Sequence, residues 1–367
     1  MYISRLQLWN FRNYKQLDIM VPEGISIFNG ENGQGKTNIL EAVHLLCTGR
    51  SHRTVREKDM INHSCVWARA RIESVQRDGK HTIDMVLSRN EKKRILVNGI
   101  AINRIGEMLG QLSSVLFSPE DLYLVKQGPL ERRRFMDIEL SQVSRSYFYS
   151  LSEFNKTMEQ RNALLKELGH SKNTAATLEV WDTLLAEKAL PIILARRSFC
   201  QRLAPLAQEN HNILSGGKES LLCTYQGCTQ ALEPIDITKD FLSLLNKNRD
   251  ADLKRGYTSF GPHKDDISIK IGEVDLRYFG SQGQQRTATL ALKLSELELM
   301  KQDIGEYPVL LLDDVLSELD TQRQNYLLSR LEKIQTLVTT AQPVGELFEN
   351  LKPTMFSVKA GEVIDNE

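Results

Sequence analysis

Asn29-Gly30-Glu31-Asn32-Gly33-Gln34-Gly35-Lys36-Thr37 carries the pattern G-x-x-x-x-G-K-[ST] complete from Gly30 to Thr37. Ahead of it, Ile25-Ser26-Ile27-Phe28 is a short apolar run that reads as a buried strand. Behind it, Ile39, Leu40, Val43, Leu46 and Cys47 recur at helical spacing, which predicts a helix from about Lys36. Strand, glycine turn and helix are the setting this pattern needs. The glycines let the backbone curl until its N–H groups converge, and the helix dipole adds positive potential at the same point. Gly30, Glu31, Asn32, Gly33, Gln34 and Gly35, with Lys36, Thr37 and Asn38 of the opening helix, form the candidate cradle for a nucleoside triphosphate such as ATP. Lys36 is expected to reach the β- and γ-phosphates and the Thr37 hydroxyl to ligate Mg2+.

A second part of the site is expected far along the chain. Val309-Leu310-Leu311-Leu312-Asp313-Asp314 is apolar enough for the inside of a parallel sheet. Asp313 then emerges at the strand's carboxyl end as an oxygen ligand for Mg2+, and Asp314 is placed to orient or deprotonate the attacking water. Before it, Phe279-Gly280-Ser281-Gln282-Gly283-Gln284-Gln285-Arg286 opens a helix with Leu290, Leu294 and Leu297 on one stripe. Small and amide side chains at a helix start make a second anion-binding surface.

Between these landmarks the periodicity changes. Leu6 and Leu8, then Leu17, Ile19 and Val21, alternate as strands around the polar connection Phe11-Arg12-Asn13-Tyr14. Residues 66–102 keep period two through turns at Asp78-Gly79, Arg89-Asn90-Glu91 and Asn98-Gly99, which predicts an antiparallel meander. Val115-Leu116-Phe117 is one more strand. Residues 130–248 read as helical, with Pro191 kinking or ending a helix and Gly216-Gly217 marking a break, too interrupted for an extended coiled coil. Ile267-Ser268-Ile269 is expected to return as a strand to the first domain. Asp320 is the expected N-cap of a helix over Thr321–Leu331, and Leu337–Thr340 and Met355–Gly361 complete the strands.

Composition sets broad bounds. The 47 basic and 47 acidic residues cancel, so any polyanion contact must come from a local patch. Lys92, Lys93 and Arg94, and Arg132, Arg133 and Arg134, are the candidate DNA-backbone contacts. Five cysteines without C-x-x-C spacing argue for reduced thiols and a cytoplasmic setting. No apolar run is long enough for a membrane span, and the first residues do not resemble a signal peptide.

The order of these motifs, with phosphate loop and acidic strand about 280 residues apart, resembles the split ATPase heads of the ABC superfamily. Within it, the chain is similar to the RecF family of bacterial recombination mediators, with SMC-like heads. Phe11–Tyr14, Gly30–Thr37, Gly49–Thr54, Ser118–Asp121, Arg132–Phe135, Gly261-Pro262-His263, Ser281–Arg286 and Leu312–Asp320 carry that likeness. It implies an α/β ABC-type lobe (a mixed sheet with an antiparallel meander) from residues 1–117 and 255–367, and a mostly helical second lobe from 118–254. It further implies that ATP joins two copies, with Ser281, Gly283 and Gln284 of each touching the γ-phosphate held by the other. The resemblance implies that the family's dimer clamps single- and double-stranded DNA and single/double-strand junctions and hydrolyses ATP slowly with DNA stimulation. With RecR and RecO it promotes loading of RecA onto gapped DNA coated by single-strand-binding protein, in replication and SOS repair. By placement near the loop, Arg12 and Arg53 are candidates for the nucleotide phosphates. Asp314 stands where glutamate is usual, and Gln342 near where a switch histidine would be, so no histidine is assigned to catalysis. A small-molecule phosphotransferase would not need Ser281–Gln285, a long-coil chromosome organiser would need a longer interval between lobes, and a transporter motor would not carry these family motifs.

Overall fold

Alternation of apolar and polar residues at the amino end is resolved as a hairpin. β1 (Tyr2–Phe11) runs antiparallel to β2 (Tyr14–Met20), with Leu6 opposite Ile19 and Leu8 opposite Leu17. The structure is a computed structural model that describes residues 1–168, 175–342, 348 and 351–366. The chain continues through β3 (Ile25–Asn29), α1 (Lys36–Thr48) and the meander β4 (Trp67–Gln76), β5 (Gly79–Ser88), β6 (Arg94–Val97) and β7 (Ile100–Ile102) to β8 (Ser114–Phe117). Then come α2 (Tyr123–Lys126), α3 (Pro129–Val143), α4 (Arg145–Leu168), α5 (Ala175–Leu214), β9 (Leu221–Gln226), α6 (Pro234–Lys247) and α7 (Arg249–Arg255). β10 (Asp266–Ile271), β11 (Val274–Asp275), α8 (Leu276–Phe279), α9 (Gln282–Ile304), β12 (Val309–Asp313), α10 (Thr321–Leu328), β13 (Thr336–Thr340), β14 (Thr354–Lys359) and β15 (Glu362–Asn366) follow. Two compact units result: Met1–Leu122 with Lys293–Glu367, and Tyr123–Leu292.

In the first unit two six-stranded sheets enclose α1. One, ordered β2-β1-β4-β5-β6-β7, is antiparallel throughout. The other, ordered β15-β14-β3-β13-β12-β8, is parallel except for its β15 edge. β3, β12 and β13 are buried along almost their whole length, which is why they read as continuous apolar runs rather than alternating ones. α1 packs on β4 and β5 of one sheet and on β8, β12 and β13 of the other. A helix covered on both sides must be apolar nearly all round, and Ile39, Leu40, Val43, Leu45 and Leu46 are each at most 1% exposed.

The second unit departs from the sequence reading in three ways. β10 pairs antiparallel with β9, Ile267 opposite Tyr225 and Ile269 opposite Cys223, so the expected return to the first unit at 267 does not occur. Residues 255–292 lie in the second unit and the division falls inside α9. β9 itself interrupts the stretch read as wholly helical. Finally, Pro191 does not end a helix: α5 runs 40 residues and contains both Pro191 and Pro205. Each interior proline removes a helix hydrogen bond at a cost of roughly 3 kcal/mol. Packing of α5 against α4, α6 and β9, with Ile192, Ile193, Leu203 and Ala207 buried, offsets that cost. Its core is also unusually ionic. Arg161, fully buried, donates to Asp182 (2.7 Å), Asp252 (2.9 Å) and the Thr258 hydroxyl (2.8 Å).

Candidate nucleotide-binding site

Between β3 and α1 the loop folds back over the helix start. Gly30 passes so close to β14 that a Cβ there would lie 2.2 Å from the Val358 carbonyl oxygen. Gly35, at φ +115°, leaves room only for hydrogen beside the Asn13 side chain. The Lys36 ammonium donates to the carbonyls of Gly30 (2.6 Å) and Glu31 (2.8 Å), lying across the loop it is expected to serve. Burial holds its pKa below the usual lysine value, against the pull of Asp314 and Asp313.

Two hairpin turns brace this loop. From the β1–β2 turn, Asn13 donates to the Gln34 carbonyl (2.7 Å) and Tyr14 to the Gly35 carbonyl (3.1 Å), while Asn38 donates to Asn13 (2.7 Å). From the β14–β15 turn, the Ala360 N–H donates to the Gln34 side-chain oxygen (2.7 Å) and the Gly361 N–H to the Gln34 carbonyl (3.1 Å). Gln34 and Asn38 thus anchor the cradle through their side chains. Sequence reading treated Asn13 and Tyr14 only as a polar connection; their adjacency to the loop becomes visible once β1 and β2 are paired.

Asp313 ends β12 where expected. Its Oδ1 accepts from the Thr37 hydroxyl (2.8 Å) and from the Thr339 hydroxyl (2.7 Å) on the neighbouring β13. Thr339 also accepts from the Asp314 N–H (3.2 Å), a role its place in an apolar strand did not disclose. Asp314 adopts φ +52°, a left-handed conformation uncommon outside glycine but more accessible to aspartate. Burial raises its carboxyl pKa, the neighbouring Asp313 raises it further, and Lys36 acts in the opposite sense. The Thr37 hydroxyl and Asp313 carboxylate are hard oxygen donors side by side, a set that fits Mg2+ when its other positions are phosphate oxygens and water.

Arg12 is committed elsewhere. Its guanidinium grips Glu41, fully buried in α1, through Nε (2.8 Å) and Nη2 (2.6 Å), and donates to the Asp59 carbonyl (2.8 Å). Ser51 (2.5 Å) completes the Glu41 shell, and Arg53 donates to Asn38 (2.8 Å). The acid is held ionised below the usual glutamate range by Arg12 and Ser51, with Arg53 adding to the effect, although burial, the largest influence, opposes it. Arg12 therefore ties Glu41 of α1 to the backbone at Asp59, a different task from the phosphate contact expected of it.

Among the DNA candidates, Arg132 is a correction. It is 4% exposed and clamps Asp266 (2.5 and 2.9 Å) and two carbonyls of the second unit, so it is closed to a polyanion. Arg133 donates to the Asp265 carbonyl (2.8 Å), and burial depresses its pKa. Arg134 lies half exposed beside Glu131. Lys92 is exposed; Lys93 and Arg94 form surface pairs with Glu57 and Glu91, of the kind worth little in water.

In the second unit, Ser281 caps α9 reciprocally with Gln284. Ser281 Oγ accepts from the Gln284 N–H (3.2 Å), and Gln284 Oε1 accepts from the Ser281 N–H (2.9 Å). Ser281 and Gly283 are exposed, whereas Gln285 is buried with its amide on the Leu276 carbonyl (2.8 Å).

Comparison with known proteins agrees with this arrangement. The family model described as RecF/RecN/SMC N terminal domain matches residues 2–357. The chain is 43% identical over 371 aligned positions to the DNA replication and repair protein RecF of Ruminiclostridium cellulolyticum, covering 99% of each. It is 42% identical over 374 positions to that of Clostridium tetani, covering both entirely. A solved structure of the recombination mediator protein RecF-ATP in the RecFOR pathway superposes with a TM-score of 0.93 at 35% identity, over 100% of this chain and 98% of that one. An Smc head bound to the C-winged helix domain of ScpA, 16% identical with a TM-score of 0.57 over 100% and 98% of the two chains, shares the fold alone.

Proposed function

The chain belongs to the RecF family of the RecF/RecN/SMC N-terminal domain proteins, and from that premise we propose that it is an ATP-switched DNA clamp of recombinational gap repair. ATP is held by Gly30–Asn38, with Lys36 on the β- and γ-phosphates. Thr37 and Asp313 hold Mg2+, whose chemistry is to neutralise phosphate charge. Asp314 aligns the attacking water and accepts its proton in a slow hydrolysis. The observation that carries this reading is the convergence of Thr37, Asp313 and Thr339 within 2.8 Å contacts at the mouth of the phosphate loop. Residues 276 apart in sequence meet there in the donor set an ATPase requires.

Two copies join when ATP is bound, each presenting its exposed Ser281 and Gly283, with the half-buried Gln284, to the triphosphate of the other. The closed dimer holds DNA through backbone contacts, with Lys92, Lys93, Arg94 and the half-exposed Arg134 the remaining candidates. It acts with RecR and RecO to promote RecA loading on gaps coated by single-strand-binding protein. Sedimentation with and without Mg2+-ATP and gapped DNA tests this: ATP should double the sedimenting mass, and DNA should co-sediment with the dimer. Asp313→Asn should lose both responses. A wild-type chain that binds ATP yet stays monomeric would remove the clamp reading.

A further inference from the structure

Gln284, the residue proposed for a partner's nucleotide, is already held within its own chain at both the oxygen and the nitrogen of its amide. Its side-chain oxygen accepts from the Ser281 N–H, and its side-chain nitrogen donates to Glu219 Oε1 at 2.7 Å. A backbone donor on one side and a carboxylate on the other fix the amide's orientation, so a flipped assignment is excluded. Glu219 stands in the short link between α5 and β9. Gly216 and Gly217, both at positive φ, turn the chain there, with the Gly217 N–H on the Asn212 carbonyl (2.8 Å). The other carboxylate oxygen of Glu219 lies 3.9 Å from Nε2 of the buried His211. A negative charge is thereby built against the first turn of α9, where the helix dipole favours an anion.

We propose that Glu219 is a latch: it occupies the Gln284 amide in the separate chain and must release it before that amide can serve a phosphate held by a second copy. The idea rests on the clamp reading above. Glu219 is a positioning residue in it, acting on the nucleotide only through Gln284. Closing a symmetric dimer opens two latches, one per copy. Dimer formation therefore carries a threshold that only a ligand bearing a full triphosphate charge overcomes, since the incoming oxygen must outcompete a charge-assisted bond already made.

The test is the ATP-dependent dimer dissociation constant, by sedimentation equilibrium with a non-hydrolysable ATP analogue and Mg2+. Glu219→Gln retains shape and weakens the bond; Glu219→Ala removes it. About tenfold tighter dimerisation per latch is expected for the alanine variant, and less for the glutamine variant. Nucleotide affinity measured at concentrations where the chain is monomeric should be unchanged. A change confined to folding would not produce that split. Adding Gln284→Ala should abolish the gain, because the latch then has nothing to hold. Weaker or unaltered dimers in both Glu219 variants, beside a wild type that dimerises with ATP, overturn the latch alone. A wild type and Glu219 variants that all remain monomeric with ATP overturn the clamp reading and the latch with it.

Discussion

At Asp314 four influences meet within one side chain: burial and the adjacent Asp313 favour its neutral form, and Lys36 and a hydrogen bond with Ser317 favour its charged form. The net direction is upward, so Asp314, the residue proposed to accept a proton from the attacking water, is a stronger base than a free aspartate. On that proposal deprotonated Asp314 is the active form, and lowering the pH through its raised pKa removes it. ATP turnover should therefore fall on the acid side at a pH above the ordinary aspartate range near 3.9. Asp314→Asn should flatten that limb and reduce turnover by about 10²–10⁴-fold, the usual contribution of a general base, with ATP binding retained. A single-turnover pH profile of both proteins measures it. An acid limb that survives in Asp314→Asn assigns the proton to another group. The placement of Lys36 and Thr37 at the start of α1 and of Asp313 at the end of β12 was legible residue by residue because it attaches to a spacing. Thr339 and Glu41 were not: a threonine in a strand and a lone acid among Ile39, Leu40, Ala42 and Val43 acquire partners only when β13 and the β1–β2 turn are in place.

Among the elements, the strands and helix flanking the phosphate loop matched their sequence patterns because burial on one or both faces imposes period two, 3.6 or a continuous run. Failures came where a non-local partner decided. The six residues of β9 acquire an identity as a strand from β10, about 45 positions later, and α5 continues past Pro191 because tertiary packing outweighs a local penalty. The ionic core around α4 and α5 was equally invisible, since nothing local in a charged helical stretch marks Arg161, Asp182 and Asp252 as buried. Its energetics are one-sided. A buried ion pair contributes modestly while intact, yet removing one partner strands the others without water, typically at 3–5 kcal/mol. Arg161→Ala should thus lower unfolding stability by about 3–5 kcal/mol. Urea denaturation followed by circular dichroism reads this directly, and a loss below about 1 kcal/mol, typical of an exposed pair, would show that the cluster is solvated in solution.

For the whole molecule, the question is whether nucleotide contacts supply enough free energy to switch assembly. Moving a two-state equilibrium from 1:99 to 99:1 takes about 5.5 kcal/mol of differential binding. A symmetric dimer holds two nucleotides, so each site must contribute about half of that, within reach of one or two hydrogen bonds to a charged phosphate at roughly 1.5–3 kcal/mol each. The exposed Ser281 hydroxyl and, once Glu219 releases it, the Gln284 side-chain amide are the donors proposed for that purpose. The scheme works only if the α9 start approaches the partner's triphosphate to hydrogen-bond distance. Ser281→Arg tests that approach: a long side chain would stand where backbone must come close, and the loss of the cap costs the helix only about 1 kcal/mol, leaving the fold intact. The variant should bind ATP as a monomer with wild-type affinity and should show no ATP-induced dimer at concentrations where the wild type is fully paired. Equilibrium binding of a fluorescent ATP analogue and sedimentation on the same samples separate the two quantities. Normal dimerisation by Ser281→Arg means that the two copies meet through some other surface.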